Sequence, residues 1–174
     1  MNKQLIAKLA LVAVAAGAFA TAQATTATSS FQVQMTITSS CAVTTAPGNI
    51  NLGSFVATSS ALTTASGNTT FKVNCSNKTP FTVGLAPSAG NGGTANGTGS
   101  MLGATNGDKV PYTLYSNSGL TTVWGNTPGT NTMAGTGGGM ASGKAVSFTA
   151  YAQATSADFA PDSYADTVTV NVNY

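Results

Sequence analysis

Asp166-Thr-Val-Thr-Val-Asn-Val-Asn-Tyr174 alternates apolar and polar residues without a break. On a strand, Val168, Val170, Val172 and Tyr174 share one face, and Thr167, Thr169, Asn171 and Asn173 share the other. Such a strand needs an apolar layer against one face, and either neighbours along both edges or protection of the open one. It is the last strand signal in the sequence. What covers it is the question that orders the reading of the rest.

At the opposite end, Lys3 and Lys8 precede and flank an apolar run over residues 9–20, and Ala22-Gln-Ala24 offers small residues at the positions a signal peptidase reads. Residues 1–24 therefore read as a signal peptide, with Ala20-Thr-Ala22 as a competing cleavage site. The run is short for a membrane span and no second one follows, so stable membrane insertion of the mature chain is not expected. About 150 residues remain, enough for one domain with a real core. In that part Lys72, Lys78, Lys109 and Lys144 balance Asp108, Asp158, Asp162 and Asp166, and the chain has no Arg, Glu or His. A basic stripe for nucleic acid is absent, and so is a charged surface that would steer a partner. Near-zero charge favours self-association.

Cys41 and Cys75 are the only cysteines. In an exported chain they read as one disulfide, and two thiols without His cannot fill a zinc site. Closing a loop of that length stabilises the fold by about 3–4 kcal/mol on the chain-entropy account.

Between the ends the texture is all-β. Thr, Ser, Asn, Gly, Val and Ala dominate, and no sustained helical period appears. Alternating candidates are Phe31-Gln-Val-Gln-Met-Thr-Ile37, Ile50 and Leu52 leading to Phe55, Phe71 to Cys75, and Phe81 to Leu85. Further candidates are Val110-Pro-Tyr-Thr-Leu-Tyr115, a hairpin partner at residues 120–124, and Val146 to Ala150. Pro111 points to an edge or a strand start. Residues 88–107 and 125–143 are rich in Gly, Asn and Thr and read as long surface loops. About eight short strands separated by turns point to a sandwich.

The residues of acid–base catalysis are mostly missing: there is no His or Glu, and the cysteines are taken up by the bridge. Asp158, Asp162 and Asp166 read as turn formers around a strand entry, no Ser-x-x-Lys occurs, and the glycines lack a phosphate-cradling context. An enzyme is not expected, and no cofactor or metal is called for. The sequons at Asn68, Asn74, Asn77 and Asn96 fall to chance in so Asn- and Thr-rich a chain. Trp124 reads as core or edge packing ahead of a sugar platform.

Function concentrates in the first alternating segment. Phe31, Val33, Met35 and Ile37 carry bulky groups at every second position, without charge, just ahead of Cys41. One reading makes this segment strand A of its own sandwich. The other makes it a donor strand that completes the sheet of a neighbouring copy, where main-chain hydrogen bonds supply affinity and alternate pockets supply specificity. A slip of one residue would turn every anchor away.

Beyond pattern, Cys41-Ala-Val43, Asn51-Leu-Gly-Ser-Phe55 and Phe71-Lys-Val-Asn-Cys-Ser76 with Pro80-Phe-Thr-Val-Gly-Leu85 occur in order. Met101-Leu102, Val110-Pro-Tyr-Thr-Leu-Tyr115, Thr122-Val-Trp-Gly125 and Tyr164-Ala-Asp-Thr-Val-Thr-Val170 follow. Together they resemble the spore coat protein U domain family, which includes major pilins of archaic chaperone–usher pili. Asp162 stands where that family usually has Gly, which bears only on a local turn.

The resemblance implies an incomplete immunoglobulin-like β-sandwich lacking its final strand and completed by a donor strand from another subunit. It implies a donor segment at residues 25–38 and a pilin domain at residues 39–174. A periplasmic chaperone would fill the groove first, holding the Tyr174 carboxylate, and an outer-membrane usher would exchange it for the next subunit's donor. Carried onto this chain, Phe31, Val33, Met35 and Ile37 donate, and Val168, Val170, Val172 and Tyr174 line the acceptor groove. The Cys41–Cys75 bridge would tie the first domain strand to its neighbour there. The implied protein is a structural subunit of a cell-surface fimbrium, supporting adhesion and biofilm, with identical or homologous pilins as partners. The alternatives are a tip or minor adhesin and a secreted coat or matrix protein of the same family.

Overall fold

The structure is a computed structural model that describes residues 24–61 and 65–174. The expected signal peptide lies outside the described residues but for Ala24. Residues 1–36 and 37–174 are separate units. In the described part of the first, residues 24–36, no strand forms, and Phe31, Val33 and Met35 are 88%, 88% and 81% exposed. Ile37, at the start of the second, is likewise exposed. The reading of residues 31–37 as a strand of this chain's own sheets is not what the structure shows.

The second unit is all-β. Its strands are β1 (Cys41–Thr45), β2 (Ser66–Cys75), β3 (Pro80–Pro87), β4 (Thr98–Gly103), β5 (Lys109–Tyr115), β6 (Met133–Thr136), β7 (Val146–Gln153), β8 (Tyr164–Ala165) and β9 (Val168–Asn173). They form a sandwich of a six-stranded sheet, ordered β1-β2-β7-β5-β4-β8, and a three-stranded sheet, ordered β6-β3-β9. Every ladder is antiparallel.

Alternation places the core. Phe71, Val73 and Cys75 of β2, Phe81, Val83 and Leu85 of β3, and Leu114 of β5 are all buried between the sheets. Trp124 is 1% exposed and packs with Phe71 and Phe148 at ring-centroid distances of 6.0 and 6.1 Å. Its indole N–H donates to the Val83 carbonyl at 2.8 Å, satisfying the one polar atom of a buried ring. It is core, one of the two packing roles expected of it.

Several elements depart from the expectation. Residues 120–124 form only a single bridge, Tyr115 with Val123, because a tight loop intervenes with Leu120 at φ 52°. Residues 50–55 form no strand. The two glycine-rich stretches are not wholly loop, since they contain β4 and β6. Their glycines make room for aromatic rings. A Cβ on Gly99 of β4 would stand 2.7 Å from the Tyr112 ring, and one on Gly135 of β6 would run into the Phe81 ring. Pro111 sits at the start of β5, ahead of the stretch that pairs with β7 from Thr113 onward, so its missing N–H costs that ladder nothing.

Candidate functional site

The strongest irregularity of the sandwich is a gradient of burial across one face. In the β3–β9 ladder Val83 pairs with Val172, Leu85 with Val170 and Pro87 with Val168. Partners in an antiparallel ladder project to the same face. Val83 and Leu85 are 0% and 2% exposed, yet Val168, Val170 and Val172 are only half-buried. The second sheet repeats the pattern. Val43 of β1 pairs with Val73 of β2, and 0% exposure at Val73 becomes 39% at Val43. β9 and β1 are edge strands of the two sheets. Core-facing side chains at both edges thus lack cover over one side.

Between β9 and the segment that follows β1 lies a groove of about 400 Å³. β9 contributes Val168 and Val170 to its rim, the segment after β1 contributes Pro47 to Ile50 and Leu52, and Leu85, Phe71, Ala150 and Ala152 line its interior. A second hollow of about 580 Å³ continues it past Met101 and Tyr164, which line both, toward Ala65, Ala154 and Phe159. The rim segment over residues 50–51 is seated by a glycine. A Cβ on Gly67 would lie 2.7 Å from the Asn51 carbonyl oxygen and 2.8 Å from Ile50 Cγ2. This is why residues 50–52 alternate like a strand yet cross over β2 without a ladder to it.

The carboxylates near the groove are already occupied. Asp166 accepts from the Tyr112 hydroxyl and from Asn91 Nδ2, each at 2.7 Å, which fixes the chain just before β9. Burial, then the hydrogen bond and charge of Asp166, push the Tyr112 hydroxyl well above the usual tyrosine range. Asp162 accepts from the backbone N–H groups of Thr105 at 2.8 Å, Asn106 at 3.0 Å and Ser163 at 2.7 Å. Those bonds, the Thr105 one foremost, lower its carboxyl to about 2. Both are structural anchors, in keeping with a turn-forming role. Among the described residues no cluster of three His, Cys, Asp or Glu could hold a metal.

Of the residues singled out in the sequence, Val168 and Val170 line the groove, and Val172 packs on the core further along the same row. Tyr174 lies beyond the end of β9 and is 60% exposed. Cys41 and Cys75 are bonded across the β1–β2 ladder with Cα atoms 4.1 Å apart, securing the edge strand β1 to the core. The rim residues Ile50 and Leu52, the interior at Ala150 and Ala152, and the Tyr112–Asp166 bond were not foreseen. Asp166 directly before an alternating run was the one available cue. Asn74, within a sequon, is fully buried; it accepts from Thr44 Oγ1 at 2.7 Å and donates to the Ala141 carbonyl at 2.8 Å.

The model of the Spore Coat Protein U domain matches residues 27–171. The chain belongs to the Spore Coat Protein U domain family. No curated protein matches it in sequence. Among solved structures it is similar to a chain in the crystal structure of the CsuC–CsuE chaperone–tip adhesion subunit pre-assembly complex, from archaic chaperone–usher Csu pili of Acinetobacter baumannii. The TM-score is 0.52 at 19% sequence identity, over 80% of this chain and 41% of that one. At that identity the likeness speaks to the shared sandwich. This chain spans less than half the length of its neighbour.

Proposed function

We propose that this protein is a structural subunit of a chaperone–usher pilus that polymerises by donor-strand exchange. The observation that carries the reading is the pair of unsatisfied apolar rows. Val168, Val170 and Val172 face the core half-buried, while Phe31, Val33, Met35 and Ile37 stand exposed at the same period of two. An incoming strand beside β9 would cover the first row with the second and take up the open edge of β9. Covering a large apolar side chain contributes roughly 1.5–3 kcal/mol. Four such anchors give a gain of the same order as the cost of ordering the strand, to which the main-chain hydrogen bonds of a new ladder add.

In this reading residues 1–24 direct export, residues 25–38 are the donor segment and residues 39–174 are the acceptor domain. A periplasmic chaperone occupies the groove until an outer-membrane usher replaces it with the next subunit. The finished fibre stands on the cell surface, where it supports adhesion and biofilm. Family membership and the chaperone–subunit complex of the structural neighbour support this reading. The proposed role needs neither catalysis nor a cofactor.

The test is assembly of the purified chain with and without its donor. The full chain is expected to give a concentration-dependent ladder of oligomers by size-exclusion chromatography and fibres by electron microscopy. A chain lacking residues 25–37 is expected to stop growing, and to bind an added peptide of residues 25–38. A full chain that stays a stable monomer at high concentration would sink the proposal.

A further inference from the structure

The two ends of the groove are not alike. Inward positions of β2 and β7 run in paired rows, Phe71 with Phe148, Thr69 with Ala150 and Gly67 with Ala152. Along these rows bulky aromatics give way to small residues. At the aromatic end the space between the sheets is filled, with Phe71 and Phe148 stacked at 5.8 Å and Phe81 set edge-on to Phe148 at 6.1 Å. At the small end lie the two hollows, with Ala150 and Ala152 in one and Ala65 and Ala154 in the other. On β9, Val168 and Val170 line the hollow and Val172 does not.

Resting on the donor-strand reading, we infer that the groove grips its donor unequally, with Met35 and Ile37 of the neighbouring copy as the deep anchors and Phe31 and Val33 as shallow cover. All ladders in the sandwich are antiparallel, and a strand that continues that pattern runs antiparallel to β9. The register that uses every apolar position then sets Ile37 beside Val168 and Met35 beside Val170. Val33 falls beside Val172, and Phe31 beside Tyr174. The two donor residues nearest Cys41 lie over the alanine-lined hollow. The unbranched Met35 can adapt to irregular space of this kind, and Ile37 adds apolar volume beside it. The other two meet a core that Phe81 and Phe148 have already filled.

This ordering runs against side-chain size. If the groove gripped its donor evenly, removing the Phe31 ring and Val33 would cost as much as, or more than, removing Met35 and Ile37. The experiment compares full chains carrying M35A/I37A or F31A/V33A for the rate of oligomer growth and the temperature of fibre dissociation. All four residues lie outside the strands of the acceptor sandwich. M35A/I37A is expected to slow growth about tenfold or more relative to F31A/V33A.

A filling variant, Ala152→Leu, tests the other side. It should slow growth with the native donor, and its penalty should shrink when combined with M35A/I37A but not with F31A/V33A. Equal losses, or a larger loss in F31A/V33A, would overturn the inference while leaving donor exchange standing. Absence of any growth by the native chain would instead remove the reading beneath it.

Discussion

Asp166 and Tyr112 show how one hydrogen bond sets the entrance of the groove. The Tyr112 hydroxyl is on the inward row of β5, and its 2.7 Å bond reaches the carboxylate just before β9 begins. Tyr112→Phe keeps the ring under Gly99 and deletes only the donor. The expected cost is about 1–3 kcal/mol, read as a lower unfolding midpoint in denaturant. The pH dependence has a definite sign. The folded hydroxyl is raised above its ordinary value of 10.0, so native stability is whole below pH 10 and falls as pH rises beyond it. Y112F should flatten that alkaline limb, which a series of thermal melts would record.

Asp162 has the opposite sign. Its carboxyl is lowered from 3.8 to about 2, so its contribution is present above pH 4 and is lost as pH falls toward 2. Asp162→Ala should melt below the native protein at pH 7, and the gap should close across that acid window. A gap that persists at pH 2 would show that the turn is held by something other than the charge.

At the scale of elements, what could be read in the sequence was what obeys a local period. β9, β2, β3 and β7 alternate within themselves, so their inward rows were visible without the fold. β4 and β6 were hidden because Gly99 and Gly135 are glycines for reasons that lie on other strands, the rings of Tyr112 and Phe81. Residues 50–52 misled in the opposite direction. They alternate, but the glycine gap at Gly67 draws them across β2 rather than alongside it. The alternating apolar rows at residues 31–37 and 168–172 were thus legible, whereas the alanine-lined hollow was not, since Ala150 and Ala152 of β7 meet Val168 and Val170 of the other sheet and residues 47–52 only through the tertiary fold. The bridge between β1 and β2 belongs to this scale as well, because β1 is an edge held on one side only. Replacing both Cys41 and Cys75 by Ser should lower stability by about 3–4 kcal/mol for a loop closed over a separation of 34 residues. Oligomer growth should fall further than stability alone accounts for, because Val43 and the rim after β1 lose their tether. Measuring unfolding and growth on the same variant separates the two effects.

Over the whole molecule the decisive property is the scarcity of charge. Charged residues make up 6% of the chain, and neither the row from Phe31 to Ile37 nor the row from Val168 to Val172 contains one. Association between such surfaces gains no electrostatic steering, so encounter rests on diffusion and on the fit of one apolar row to another. Salt therefore has little to screen. Growth of oligomers is expected to change by less than about threefold between low and moderately high sodium chloride, whereas a charge-steered association falls steeply over the same range. Sodium sulfate should act differently and accelerate growth, because it strengthens apolar burial by being excluded from protein surface. A steep fall in sodium chloride would mean that a charged surface, and not the apolar groove, controls the encounter. Independence of sodium chloride together with acceleration by sulfate is the signature of two apolar rows closing on each other.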